Sequence, residues 1–177
     1  MELLLAKLHP VIVHFPIGLL TLYAVLELIP FRITWTDPKW IFAKRILLFF
    51  GTLAIIVAAT TGEARGGENI TPGTALAMHE LMAMITKIIF MVLAGAEVVV
   101  ASTVAVTRFV SKREWMYVIW KILERISKVV KLRPVVIIGA LAGLICITIT
   151  GALGGGMVYG PEADPMVSVV YKIFKLQ

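Results

Sequence analysis

Apolar residues gather into four long runs, and the histidines stand where two of those runs begin. A helix needs about 20 predominantly apolar residues to cross a hydrocarbon core of about 30 Å. Runs at about 10–29, 41–61, 75–107 and 135–153 meet that length, so each predicts a transmembrane helix. Pro10 suits the first turn of the first run, and Pro30 closes it. Pro16 has no N–H to give and predicts a kink beside His14. The third run exceeds the bilayer thickness at about 1.5 Å per residue and must tilt or protrude. The fourth begins after Pro134 and is expected to stop before Gly154-Gly155-Gly156.

A different pattern fills 111–131. Trp115, Met116, Val118, Ile119, Ile122, Leu123, Ile126, Val129 and Val130 recur at helical spacing, with Lys112, Arg113, Lys121, Arg125 and Lys128 between them. This predicts an amphipathic helix lying on a headgroup surface. The same spacing also suits a docking helix for a partner subunit. A shorter amphipathic stretch follows from Pro165 to Leu176, with Lys172 and Lys175. The expected fold is therefore an all-α membrane protein, one integral membrane domain over 1–177. It is a four-transmembrane-helix bundle with a surface helix between helices 3 and 4 and a short C-terminal amphipathic helix.

Composition agrees with that class. Hydrophobic residues make up 59% of the 177, and the mean hydropathy is +0.94, well above a soluble domain. In so apolar a chain a net charge of +6 marks loops and lipid headgroups, and nucleic acid is set aside as a partner. The basic residues are unevenly placed. Arg32, Lys39, Lys44 and Arg45 surround the first connection, and eight more lie between Arg108 and Arg133. The second connection has Arg65 alone, beside Glu63 and Glu68. The positive-inside rule then puts the first and third connections in the cytoplasm, with both termini and all three histidines at the outer face of a plasma membrane. Met1 to Leu8 carries Lys7 as its single basic residue, and no small-residue cleavage site follows, so the opening reads as a retained first span.

The chain has three histidines, His9, His14 and His79. An imidazole in hydrocarbon needs partners, because an unpaired buried polar group costs several kcal/mol. His14 and His79 lie inside their runs and are the candidate axial ligands of a haem, whose iron accepts an imidazole from each side. Gly18 lies one turn below His14 on the same face and leaves room for a flat macrocycle. His9 precedes proline, which disfavours helical geometry, and is expected at or outside the helix start with a secondary role such as bonding a propionate. Tyr159 is a second candidate for the propionates. Cys146 is the lone cysteine and no Cys-x-x-Cys-His occurs, so the expected cofactor is a single non-covalent, bis-histidine haem b.

Copper is the rival metal, since Met78, Met82 and Met84 set thioethers beside His79. Zinc fits less well, because no cysteine or carboxylate joins the histidines at ligand spacing. Glu27 and Glu97 are candidates for a proton relay or quinone site, but pairing with Lys44 or Arg45 is the preferred expectation. A weak repeat is also visible. His14 precedes Thr61-Gly62 and His79 precedes Thr150-Gly151, the second interval being longer by 24, (150 − 79) − (61 − 14).

The segments Leu8-His9-Pro10-Val11-Ile12-Val13-His14-Phe15-Pro16-Ile17-Gly18, Thr61-Gly62-Glu63-Ala64, His79 and Thr150-Gly151-Ala152-Leu153-Gly154-Gly155-Gly156-Met157-Val158-Tyr159-Gly160 resemble the DUF 2231 family of predicted prokaryotic membrane proteins. The resemblance implies four helices. Its members often stand beside or are fused to c-type cytochromes, which implies electron transfer and supplies no proven ligand. The long basic insertion at 111–131 departs from a compact four-helix pattern.

The function expected from all this is a membrane b-type cytochrome. It would relay electrons between a quinol pool or membrane partner and an acceptor on the outer face, such as a periplasmic or extracellular c-type cytochrome. It need not make or break substrate bonds, so a carrier or redox-complex subunit is expected over a stand-alone enzyme. Two rival readings are a non-redox structural subunit braced by its histidines and a copper-handling membrane protein.

Overall fold

The computed structural model describes residues 8–63 and 74–176. The expected retained start over 1–7, and Arg65 and Glu68 of the second connection, lie outside the described residues. The protein is all-helical, with no strand among the described residues. Its helices are α1 (His14–Leu28), α2 (Ile33–Thr36), α3 (Pro38–Glu63), α4 (Ala75–Val110), α5 (Glu114–Val130), α6 (Arg133–Tyr159) and α7 (Pro165–Ile173). Four spans are long and apolar enough to cross a membrane: Leu8–Leu28, Pro38–Gly62, Ala75–Val110 and Arg133–Tyr159.

Backbone groups in hydrocarbon must bond within their own helix, and this extends two of the spans. The first reaches back past His9, whose carbonyl accepts from the Val13 N–H at 3.0 Å. His9 is therefore helical, contrary to the expectation from Pro10. The ladder loosens only at Val13, opposite Pro16, where the Ile17 N–H reaches the Val13 carbonyl at 3.3 Å. The last span runs through Gly154, Gly155 and Gly156, and ends at Gly160, whose φ of 96° is open to glycine alone. Two of those glycines are there for close packing. A Cβ on Gly154 would press on the His79 ring, and one on Gly156 would collide with Tyr171 of α7.

Going round the bundle, α3 packs on α1, α1 on α6, α6 on α4 and α4 on α3. The diagonal pair meets at the centre, where the Tyr23 and Phe90 rings lie edge to face, 6.2 Å apart. Leu20 and Phe90 are fully buried there. Lipid is as apolar as leucine, so the helices are held by close fit more than by exclusion of water. Gly51 and Gly143 permit that fit. A Cβ on the first would stand 2.5 Å from Leu20 Cδ2, and on the second 2.6 Å from Phe90 Cζ.

These pairs expose an internal repeat. On the first and third spans, 79 − 9, 90 − 20 and 97 − 27 all equal 70, matching His9 with His79, Leu20 with Phe90 and Glu27 with Glu97. On α3 and α6, 143 − 51, 147 − 55 and 154 − 62 all equal 92, matching two glycine pairs and Ile55 with Ile147. Matched side chains touch matched partners: His9 on Gly62 and His79 on Gly154, Leu20 on Gly51 and Phe90 on Gly143. The halves α1–α3 and α4–α6 are thus related by a pseudo-twofold axis along the bundle. The frame expected from the Thr-Gly pairs is corrected, and His9 replaces His14 as the counterpart of His79.

Helix α5 is the insertion between α4 and α6. It folds back along α4: Trp120 Nε1 donates to Thr107 Oγ1 at 3.1 Å, and Lys131, just beyond its end, pairs with Glu97. Those α4 residues are ten apart, about 15 Å at 1.5 Å per residue. α5 therefore runs antiparallel to α4 and does not lie across the bundle end. α7 is capped by Asp164, whose Oδ1 accepts from the Met166 and Val167 N–H groups at 2.7 and 2.9 Å. It buries Val167, Val170 and Tyr171 against Ala152 and Leu153 of α6.

Candidate functional site

Polar side chains gather at the two ends of the bundle. At one end each histidine donates from Nδ1. His79 bonds the Thr150 carbonyl at 2.9 Å, and Thr150 gives its own hydroxyl proton to the Cys146 carbonyl at 2.8 Å. His9 Nδ1 lies 2.9 Å from Thr61 Oγ1, whose proton goes to the Ala58 carbonyl at 2.9 Å, so the hydroxyl accepts from the ring. His14 Nδ1 reaches back to the Pro10 carbonyl at 2.6 Å. A carbonyl only accepts, so in each neutral ring Nδ1 carries the proton and Nε2 the lone pair. That is the tautomer which metal-bound histidines use, with the second nitrogen orienting the ring.

The three rings differ in placement. His9 and His79 are half-buried between paired helices, with Gly62 and Gly154 against them. His14 is exposed on the outside of the bundle. Five residues turn a helix by about 500°, so His9 and His14 point about 140° apart. Burial within the bundle thus belongs to His9, where depth along the sequence favoured His14. Gly18 is also exposed, with open space around it, and Tyr159 is 81% exposed at the end of α6. The thioethers part company as well: Met78 and Met82 pack into the α6–α7 contact, while Met84 is exposed.

At the other end, Lys44 Nζ meets Glu27 Oε2 at 2.7 Å with both side chains almost completely buried. Glu97 pairs with Arg45 and with Lys131. This is the pairing preferred from the sequence, with Lys131 added. Trp35 is held between two cations, Lys44 Nζ at 4.2 Å and Arg133 Cζ at 4.5 Å from its ring centre. A cavity of about 240 Å³ opens among Tyr23, Glu27, Lys44, Arg45, Glu97 and Lys131.

The sequence reading did not find Thr61, Gly62 and Gly154 as the supports of the rings, nor Lys131 and Trp35 at the charged end. The signal was present. A histidine precedes a glutamate by 18 positions in each half, 27 − 9 and 97 − 79.

A family model described as a predicted membrane protein, DUF2231, matches residues 6–163. The chain belongs to the DUF2231 family. No curated protein and no solved structure matches it. The matched range contains both histidine sites and both glutamates, so the paired layout lies within the family region.

The donor set limits which group would fit. Among the described residues no cluster of three or more His, Cys, Asp or Glu side chains stands ready to hold a metal ion. Zinc held by protein ligands alone needs such a cluster. A macrocycle that brings its own equatorial nitrogens needs only two imidazoles. His9 and His79 are the two half-buried imidazoles at that end, each with Nδ1 bonded to an oxygen.

Proposed function

We propose that this DUF2231 protein is a membrane electron carrier that holds one non-covalent haem b at its histidine end. The observation that carries the reading is the pair His9 and His79. They occupy equivalent positions in two half-bundles, each with Nδ1 tied to an oxygen of the neighbouring helix. The bound group would supply reversible one-electron chemistry. The chain's own part is to fix ring orientation and basicity through Thr61 and the Thr150 carbonyl. Gly62 and Gly154 let the rings sit close to the neighbouring backbone. In this role the protein need not make or break a substrate bond.

The positive-inside rule, applied to the basic residues of the first and third connections, supports a cytoplasmic charged end and an outer histidine end in a plasma membrane. Electrons then pass from a quinol or a membrane partner to an acceptor at the outer face, such as a c-type cytochrome.

The visible spectrum of purified protein tests the cofactor. Reduction should sharpen the α and β bands of six-coordinate bis-imidazole iron. His79→Ala and His9→Ala should each abolish that spectrum, and His14→Ala should keep it. Colourless protein with one equivalent of copper would replace the proposal with the copper reading, and colourless metal-free protein would leave bracing as the histidines' role. Orientation is tested separately in a Cys146→Ala background. Glu162→Cys should react with an impermeant thiol reagent in intact cells, and Arg125→Cys should not.

A further inference from the structure

Beyond supplying Lys131 to Glu97, the α4–α5 hairpin has no counterpart in the repeat. The repeat matches Leu28, the last residue of α1, with Val98, so α4 continues for twelve residues (110 − 98) beyond its counterpart. That is about 18 Å of helix. α5 lies along this extension and has three distinct faces. Trp120, Glu124 and Ser127 turn towards α4; Glu124 and Ser127 are buried there. Lys121, Arg125 and Lys128 form a basic face, with Lys121 and Lys128 folded onto Glu124 at 2.9 and 2.6 Å. The third face is apolar and, among the described residues, unpartnered. Trp115, Val118, Ile119, Ile122, Ile126 and Val129 are each more than half exposed. At about 100° per residue this face is centred roughly 150° from the edge that meets α4. Val104 and Phe109 of the α4 extension are exposed as well. Contiguous apolar surface of this kind marks an interaction site.

We infer that the apolar face of α5 docks a protein partner that presents an amphipathic helix flanked by acidic residues. Direction and charge choose this occupant. A headgroup plane would take a helix lying across the bundle end, whereas α5 is aligned with α4, a helix that crosses the bilayer. A second copy of the same face would set Lys121, Arg125 and Lys128 against themselves, and like charges across an interface disfavour it. A partner helix with apolar residues at i, i+3, i+4 and i+7 would fill the stripe, and Asp or Glu beside them would meet the basic face. The inference does not depend on the haem.

The test uses the full chain with Cys146→Ala and a nitroxide on Ile119→Cys, reconstituted in bilayer discs. The label should be reached by a water-soluble nickel chelate more readily than by oxygen. The reverse order would place the face in lipid and overturn the inference, and spin–spin broadening between copies would replace the partner with a second copy. The binding probe is a synthetic 18-residue amphipathic helix with leucines at that spacing and glutamates on both flanks, against a scrambled peptide of the same composition. Selective binding of the ordered peptide is expected. Ile119→Glu should weaken it roughly tenfold, the scale of a central interface residue, and Arg125→Glu should weaken it less and remove much of its salt dependence. Both residues are exposed, so neither change threatens the fold. Equal affinity for the two peptides, or no effect of Ile119→Glu, would overturn the inference.

Discussion

The α1–α3 half and the α4–α6 half solve the same packing problem with different residues, and the differences show which half stands alone. In the first, Glu27 meets Lys44 of its own helix pair. In the second, Glu97 has the same place but the position matching Lys44, 92 residues on, is Val136. Its cations come instead from Arg45 in the other half and from Lys131 at the end of the insertion. The histidines differ in parallel. His9 relies on a hydroxyl, His79 on a backbone carbonyl. At the centre, flexible Leu20 covers Gly51 where the stiff Phe90 ring covers Gly143. A duplicated layout has thus kept its geometry while its second copy became dependent on the first half and on α5.

The largest expected effect lies in the two carboxylate pairs. Lys44→Met strands a buried Glu27 and should cost about 3–5 kcal/mol, while Glu27→Gln with Lys44→Met should recover most of it. Glu97→Gln should cost about 1 kcal/mol or less, because Arg45 is nearly half exposed and keeps water. Unfolding in mixed detergent micelles, followed by circular dichroism, measures all three. Equal losses at Glu27 and Glu97 would break the comparison.

Next come the central glycines. Gly143→Ala should destabilise by about 1–3 kcal/mol, the usual cost of overpacking. Gly51→Ala should cost less, since the end of a leucine can rotate away. Phe90→Leu should rescue Gly143→Ala by copying the first half. Failure of that rescue would show that the two contacts are not equivalent.

A smaller effect separates the histidine supports. Thr61→Val removes the acceptor of His9 and should cost about 1 kcal/mol. Thr150→Val leaves its carbonyl in place, and the bond to His79 with it. Imidazole nitrogen shifts by NMR should show a mixed tautomer for His9 in the first variant and an unchanged His79 in the second.

The smallest concerns the insertion. Hydrogen bonds from Lys128 and then Lys121 hold the Glu124 carboxyl below the usual glutamate range. A lowered folded-state pKa stabilises fully above that range and is lost as pH falls through the lowered value. Protection of α5 amides should therefore fall as pH drops below the usual glutamate range, and Glu124→Gln should remove that pH dependence.

Four spans were legible in the sequence because the bilayer sets their length and every backbone bond is local. The amphipathic character of α5 was legible for the same kind of reason: it depends on spacing within one helix. The run of three glycines misled, since its penalty in a water-exposed helix says nothing of His79 and Tyr171 lying against it. The choice between His9 and His14 was equally out of reach, because depth along a helix is a local quantity and the direction of a side chain towards another helix is not. The pairing of Glu97 with Lys131 closes a separation of 34 positions, 131 − 97, through a hairpin. What the sequence by itself determined was therefore the number, length and polarity of the helices. Which histidine faces inward, which cation serves each carboxylate and which face of α5 is left bare were decided only by tertiary structure, since each depends on where one helix sits against another.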